Sequence, residues 1–328
     1  MRLVYVTSGT NPRVASYRMA QDTVRLWREH GHDAELARLG EEPADADAYV
    51  YCKCLPSARP RDSALVALHM HDFWDDEAGT LRATVARIEG RPVDVLVPCG
   101  QPYEERLRGL VRELGLGLRV EWCPESPVFS DPPPTRHPPP DGPFRVGFHG
   151  TGSTFRFLSG APARGLERVA ARFPLELVVL SNFPREVSED CLKTTLRMHR
   201  ARVRYAPWTQ ETYAREMRCW DAAVLPASHG SEYAIIKSSN RLREVVSHAV
   251  PVVAQRGNPD MEWFSEGGQN CALAGDANEW FRAVRRVLRY RGTRQTYLRR
   301  SAGRLMGVYG AAPVMRRWMS VFDARPTP

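Results

Sequence analysis

Short apolar runs alternate with amphipathic segments in the first part of the chain. The runs predict five β-strands, at 3–6, 48–52, 65–69, 93–97 and 118–122. Segments with apolar residues at helical spacing predict helices at 16–30, 81–89 and 104–114. Because the strands are apolar almost throughout, they are typical of a parallel sheet covered on both faces.

The same alternation resumes at residue 144. It predicts strands at 144–148, 175–180, 203–205, 222–225, 250–254 and 271–273, and helices at 160–172, 211–219, 238–248 and 278–290. The predicted fold class is therefore α/β, with two Rossmann-like doubly wound domains facing a cleft. In open sheets of this kind, ligands bind in the loops at the carboxyl ends of the strands.

A proline-rich segment separates the two halves. Eight of the 18 residues in 126–143 are proline, which fixes φ and removes backbone donors, so this stretch predicts a semi-rigid linker. We expect a first domain over 1–125, a second over 144–310 and a terminal helix in 311–328 that packs back on the first domain.

Charge differs between the halves. Residues 1–143 carry 17 Lys and Arg against 22 Asp and Glu, a net charge of −5, whereas 144–328 carry 29 against 16, a net charge of +13. A positive half suits a phosphorylated ligand, and an acidic half is a poor platform for duplex DNA.

Targeting and metal signals are weak. No apolar run reaches the length of a membrane span and the first residues lack a signal-peptide pattern, so we expect a cytoplasmic location. The seven cysteines lack paired zinc spacings, and Asp45-Ala46-Asp47 precedes a strand, so no metal site is expected.

The loop after the strand at 144–148 contains two glycines and three hydroxyls. Gly150, Thr151 and Gly152 would let backbone N–H groups approach an oxyanion, although the same residues suit an ordinary turn. The loop matches neither the dinucleotide fingerprint nor the Walker loop, so NAD or ATP binding is not indicated.

A second candidate anion site begins at Lys237. Ser238 and Asn240 offer cap oxygens at a predicted helix start, and Lys237 lies beside its positive end. Arg241 and Glu244 share a helix face, so a phosphate and a diol-binding carboxylate are compatible there. A surface helix with an Arg–Glu pair is the alternative.

These segments together resemble a known family. The order of FHGTG, the segment from Trp208 to Pro226 and KSSNRLREVVSHAVPVVA is similar to the second domain of GT-B glycosyltransferases, in particular the family 4-like members of the family 1/4 group. The resemblance implies that the second domain holds a nucleotide-diphosphate sugar and the first holds the acceptor. No cofactor beyond that donor and no metal are then expected.

The resemblance also implies roles for individual residues. Lys237 would contact the donor diphosphate, Glu244 the ribose hydroxyls, and Gly150, Thr151 and Gly152 the phosphates. In the first half, His71 and Asp72 follow a strand and are candidates for the base that deprotonates an acceptor hydroxyl. A polar loop is the alternative, and retaining enzymes of this fold rely on the donor phosphate instead of a base.

An arginine-rich stretch lies near the end of the chain. Residues 282–304 contain nine arginines and no acidic residue, with apolar residues at helical spacing. A solvated face is one interpretation. Contact with an anionic membrane, peripheral at its inner face, or with nucleic acid through Arg282–Arg304 is the other.

The predicted function is a metal-independent hexosyl or pentosyl transfer from a nucleotide sugar to a hydroxyl acceptor, which could be a glycan, a lipid-linked glycan or a natural product. A phage-type DNA glycosyltransferase, a nucleotide-sugar epimerase and a non-catalytic nucleotide-sugar-binding subunit remain alternatives.

Overall fold

A computed structural model describes residues 1–9, 15–71, 80–125, 129, 131, 142–183 and 187–323. The strands are β1 Arg2–Thr7, β2 Asp33–Arg38, β3 Ala48–Cys52, β4 Leu65–Met70, β5 Val95–Pro98, β6 Arg119–Val120, β7 Phe144–His149, β8 Leu175–Ser181, β9 Arg202–Pro207, β10 Ala222–Leu225, β11 Val252–Gln255 and β12 Ala272–Ala274. The helices are α1 Ala15–Glu29, α2 Leu81–Ala86, α3 Gln101–Glu113, α4 Gly152–Phe155, α5 Ala161–Ala170, α6 Glu189–Leu196, α7 Tyr213–Arg218, α8 Glu232–Ile236, α9 Asn240–Ser247, α10 Pro259–Ser265, α11 Ala277–Arg289, α12 Arg291–Tyr309 and α13 Ala311–Asp323.

The strands form two parallel six-stranded sheets. Their orders are β2-β1-β3-β4-β5-β6 and β12-β11-β10-β7-β8-β9, and every neighbouring pair is parallel. The order in each sheet reverses once, as in doubly wound folds. The predicted α/β class with two Rossmann-like sheets is confirmed.

Contacts divide the chain into two compact units. Unit 1 comprises Met1–Ser130, Ile235–Ser238 and Gly307–Pro328, and unit 2 comprises Asp131–Ala234 and Ser239–Met306. This division differs from the expected boundaries at 235–238 and 307–310, which lie with unit 1. Most of the predicted linker 126–143 lies outside the described residues.

Unit 1 buries both faces of its sheet because alternate strand residues point to opposite sides. Val4 and Val6 belong to the core that α2 and α3 cover, whereas Leu3 and Tyr5 belong to the core that α1 and α13 cover. In that second core, the rings of Trp27 and Trp318 meet edge to face at 5.2 Å between centroids. The terminal helix α13 is thereby part of unit 1.

Unit 2 packs α5, α6 and α11 against one face of its sheet. Gly147 at the centre of β7 gives room for the buried ring of Trp220, because a Cβ at this glycine would lie 2.0 Å from the indole carbons. Within the described ranges, no helix is both long enough and apolar enough to cross a bilayer.

Candidate functional site

The carboxyl end of β7 lies at the point where the strand order of unit 2 reverses. From β7 the chain proceeds to β8 on one side and later returns to β10 on the other. Loops that leave the sheet in opposite directions open a crevice at such a point. The loop from His149 to Gly152 and the loop that begins at Pro226 both start here.

Arg241, on the first turn of α9, joins these two loops. Its Nη1 donates to the carbonyl of His149 at 3.0 Å, and its Nη2 donates to the carbonyl of Pro226 at 3.1 Å. Burial lowers the pKa of Arg241 to about 10, so it stays charged at neutral pH. No carboxylate lies within salt-bridge distance of it in the part of the chain that the structure describes.

Gly150 brings the backbone of the β7 loop against this guanidinium. A Cβ at Gly150 would lie 2.3 Å from Thr154 Oγ1 and 3.0 Å from Arg241 Nη1. The loop continues through Thr151 into α4, where the hydroxyls of Thr151 and Ser153 are 2.8 Å apart. The predicted residues Gly150, Thr151 and Arg241 therefore lie at the carboxyl end of β7, with Gly152 as the first residue of α4.

Glu244 lies one helical turn beyond Arg241, beside His149. Its Oε2 is 3.4 Å from Nδ1 of His149, and a quarter of the Glu244 side chain is exposed. Burial and the nearby Arg241 lower the pKa of His149 to about 3. The imidazole is therefore neutral at physiological pH, and the negative charge of Glu244 is not balanced by this histidine.

The start of α9 differs from the predicted cap. Ser239 occupies the N-cap position, but its side chain makes no cap hydrogen bond, and its backbone N–H donates to the buried carboxylate of Asp260. Asn240 is the first helical residue instead of a cap. The carboxylate of Asp260 thus occupies part of the helix start at which the sequence predicted a bound anion.

Lys237 and Ser238 lie in unit 1, whereas the other predicted donor residues lie in unit 2. The backbone on both sides of Lys237 is anchored there. Ile236 is fully buried in the core beneath α2 and α3, and its carbonyl accepts from Cys99 Sγ at 3.8 Å. On the other side, the hydroxyl of Ser238 donates to Glu125.

His71 belongs to a buried polar network in unit 1. Its Nδ1 is 3.3 Å from Glu125 Oε2, and its Nε2 is 3.0 Å from His69 Nδ1 and 3.5 Å from the hydroxyl of Tyr5. Only 1% of His71 is exposed. Both ring nitrogens therefore face protein groups, an arrangement that does not offer His71 to an acceptor, and Asp72 lies outside the described residues.

Two residues of these clusters were not predicted. His149 could have been noticed as the last residue of the strand that opens the second half. Glu125 has no such signal, because its contacts with His71 and Ser238 join residues 54 and 113 positions away. Within the described ranges, no group of three or more His, Cys, Asp or Glu side chains could hold a metal ion.

No protein-family model matches the sequence, and no curated protein matches it significantly. Solved structures do show a similar fold. HepE from Anabaena, solved in complex with UDP, superposes with a TM-score of 0.68 and 12% identity over 98% of this chain and 100% of that one. Sucrose-phosphate synthase from Thermosynechococcus elongatus gives a TM-score of 0.67 and 10% identity over 98% of each chain.

TarM from S. aureus is also similar, with a TM-score of 0.60 and 11% identity over 84% of this chain. The chain spans about half of the TarM length, since the match covers 55% of it. At these identities the likeness shows the fold alone, which is that of the GT-B glycosyltransferases.

Proposed function

We propose that this protein is a glycosyltransferase that moves a hexosyl or pentosyl group from a nucleoside diphosphate sugar to a hydroxyl acceptor. One observation carries the proposal. Arg241 is a partly buried cation at the crevice of the unit 2 sheet, and it contacts carbonyl oxygens but no carboxylate in the described part of the chain. A bound diphosphate would supply the missing negative charge.

The hydrogen-bonding capacity of Arg241 supports this role. A guanidinium has five N–H groups, and the hydrogen bonds to the carbonyls of His149 and Pro226 use two of them. The remaining donors suit the oxygens of a phosphate, which arginine binds through parallel charge-assisted hydrogen bonds. Gly150 keeps the backbone of the neighbouring loop close to this guanidinium, and its own N–H donates to the carbonyl of Leu180.

Glu244 fits the other end of a nucleotide. A carboxylate accepts two hydrogen bonds and matches a pair of adjacent hydroxyls. Its partial exposure and its place one turn from Arg241 suit a ribose whose diphosphate lies at the guanidinium. HepE was solved with UDP and with UDP-glucose, so a uridine diphosphate sugar is the first donor to test.

The chemistry follows from where charge develops. The bond between the anomeric carbon and the diphosphate oxygen breaks while the acceptor oxygen bonds to that carbon, and the acceptor proton passes to a base or to the departing diphosphate. Negative charge grows on the departing diphosphate, so a fixed cation at that position stabilises the transition state more than the ground state. We assign this role to Arg241, with Lys237 as a second candidate.

We assign His71 a supporting role. It contacts Glu125, which accepts from Ser238 next to Lys237, so the network fixes the backbone that carries this lysine. Asp72 stays a candidate for the base. The segment KSSNRLREVVSHAVPVVA supports placing the chain in the family 4-like group.

The test is thermal unfolding of the full chain with UDP, GDP, TDP, ADP, CMP and NAD, followed by assays with the sugar of the stabilising nucleotide. A ligand at 100 times its Kd adds about 2.7 kcal/mol to the free energy of unfolding. We expect one nucleoside diphosphate to stabilise the protein, and its release from the sugar donor to require an acceptor.

Other results would contradict the proposal. If none of the nucleoside diphosphates stabilised the protein, the proposed donor site would be contradicted. A changed sugar formed without acceptor would indicate an epimerase, and donor binding without release or transfer to any acceptor would indicate a non-catalytic binding subunit. Transfer to duplex DNA in preference to other hydroxyl acceptors would indicate a DNA glycosyltransferase.

A further inference from the structure

The arginine-rich stretch divides into buried and outward-facing members. Arg294 is buried, and its Nη1 lies 3.8 Å from Oδ1 of Asp221. Nη1 of Arg304 lies 2.8 Å from Oε1 of Glu266. Both of these arginines serve the packing of unit 2. Six others are exposed and form no ion pair among the described residues: Arg282, Arg286, Arg289, Arg291, Arg299 and Arg300.

Three of the exposed arginines share one side of α11. Arg282, Arg286 and Arg289 are four and three residues apart, a spacing that places them together opposite the buried side of the helix. The buried side carries Trp280, Val284 and other core residues. The charge is therefore concentrated on one face instead of being spread around the helix.

Helix α5 and the residues after it extend this charge. Arg168 and the following Arg172 stack on Phe281 of α11 at 4.6 and 4.7 Å from the ring centroid, and Arg168 also donates to Asn278. Both arginines are exposed. We call the surface formed by Arg168, Arg172, Arg282, Arg286, Arg289 and Arg291 the arginine face.

We propose that the arginine face docks unit 2 on an anionic membrane surface. Its cations have no carboxylate within ion-pair distance in the described ranges, so they are available to lipid phosphates and carboxylates. Tyr290 lies between Arg289 and Arg291 and is 51% exposed. Tyrosine flanked by cations is typical of the headgroup region of a membrane.

Nucleic acid fits this surface less well. Proteins that bind it place a helix end in a groove or stack several bases on aromatic rings. Here the N-cap of α11 is Asp276, whose charge opposes a phosphate backbone at the helix start. Tyr290 is the single exposed aromatic side chain among the described residues of α11, α12 and their junction.

The expected strength follows from the number of cations. Each arginine near an anionic leaflet contributes about fivefold to binding, equivalent to about 1 kcal/mol. Replacing three of them should therefore weaken binding on the order of a hundredfold. Because the attraction is electrostatic and the charges are exposed, it should also fall steeply as salt is raised.

The test is sedimentation of the full chain with phosphatidylcholine vesicles that contain about a third phosphatidylserine, a leaflet charge that attracts basic segments. The variant is Arg282→Gln/Arg286→Gln/Arg289→Gln. A matched control is Arg61→Gln/Arg91→Gln/Arg112→Gln, which removes three exposed arginines of unit 1 and lowers the net charge equally. Phosphatidylcholine vesicles and a short DNA duplex are the comparison ligands.

We expect the wild type and the control to bind the anionic vesicles, and the α11 variant to bind about a hundredfold more weakly. Equal loss in the control, equal binding to neutral vesicles, or no binding by the wild type would overturn the proposal. Binding to the duplex without binding to vesicles would also overturn it. Should the triple variant fail to fold, Arg286→Gln alone should weaken vesicle binding about fivefold, and an unchanged affinity would again be contradictory.

Discussion

Arg241 provides the sharpest test of the donor site. Arg241→Met keeps the apolar stem of the side chain but removes every N–H donor and the charge. A hydrogen bond to a charged group contributes about 1.5–3 kcal/mol, so the loss of one bond to the diphosphate weakens binding by about 10–150-fold. Arg241→Lys keeps the charge without the forked geometry that reaches the carbonyls of His149 and Pro226, so its affinity should be intermediate.

The assay compares melting midpoints with and without the stabilising nucleoside diphosphate. At 100 times the wild-type Kd, a gain of about 2.7 kcal/mol corresponds to roughly 5–11 °C in a domain of this size. In Arg241→Met the same concentration should add only about 0.3–1.4 kcal/mol. Arg164→Met, an exposed arginine of unit 2, is the control and should behave as wild type. An unchanged shift in Arg241→Met would refute the assignment of the diphosphate to this side chain.

Three further predictions concern packing, the ribose contact and pH. Gly147→Ala forces a methyl group into the ring of Trp220 and should destabilise the protein by about 3 kcal/mol in urea unfolding, whereas Gly303→Ala, with open space around it, should not. Glu244→Gln should weaken a nucleoside diphosphate at least about tenfold but leave pyrophosphate affinity unchanged, and equal losses in titration calorimetry would contradict the ribose role. Burial holds the pKa of His69 well below its usual range, so the unfolded state takes up a proton first and stability falls as pH drops below about 6.5. The free energy of unfolding should fall by up to about 1.4 kcal/mol per pH unit because of this group. In urea unfolding between pH 6.5 and 5, His69→Gln should therefore lose stability less steeply than the wild type. Equal slopes for the two proteins would contradict this prediction.

The sequence predicted both sheets because most of their strands are continuous apolar runs. Strand β2 was missed, since Asp33–Arg38 lies at the sheet edge and mixes charged with apolar residues. Helix α12 was missed because its buried face mixes Leu298 and Leu305 with Arg294 and Ser301, and because the helix contains three glycines. Periodicity detects elements whose buried face is apolar and passes over exposed edge strands and helices whose buried face includes polar residues.

The site was predicted less completely than the fold. Arg241 and Glu244 could be paired from helical spacing alone, and the structure places both beside His149. The sequence could not predict in which unit Lys237 lies. Its neighbours along the chain belong to unit 2, but residues 235–238 pack in unit 1. That placement depends on the burial of Ile236 in the first core, a contact across more than a hundred residues that no local pattern encodes.

The Glu125 network of unit 1 and the Arg241 site of unit 2 differ in how their charges are compensated. This difference distinguishes a structural role from a ligand-binding role. In unit 1 the carboxylate of Glu125 is contacted by Ser238 and His71, so a buried charge is already provided with partners. In unit 2 the charge of Arg241 meets only carbonyl dipoles within the described residues. Partial burial of a cation without a paired carboxylate costs free energy, and such a group in a crevice is a candidate for binding an anionic ligand. We therefore propose that the donor diphosphate binds at Arg241 and that the histidine network of unit 1 is structural.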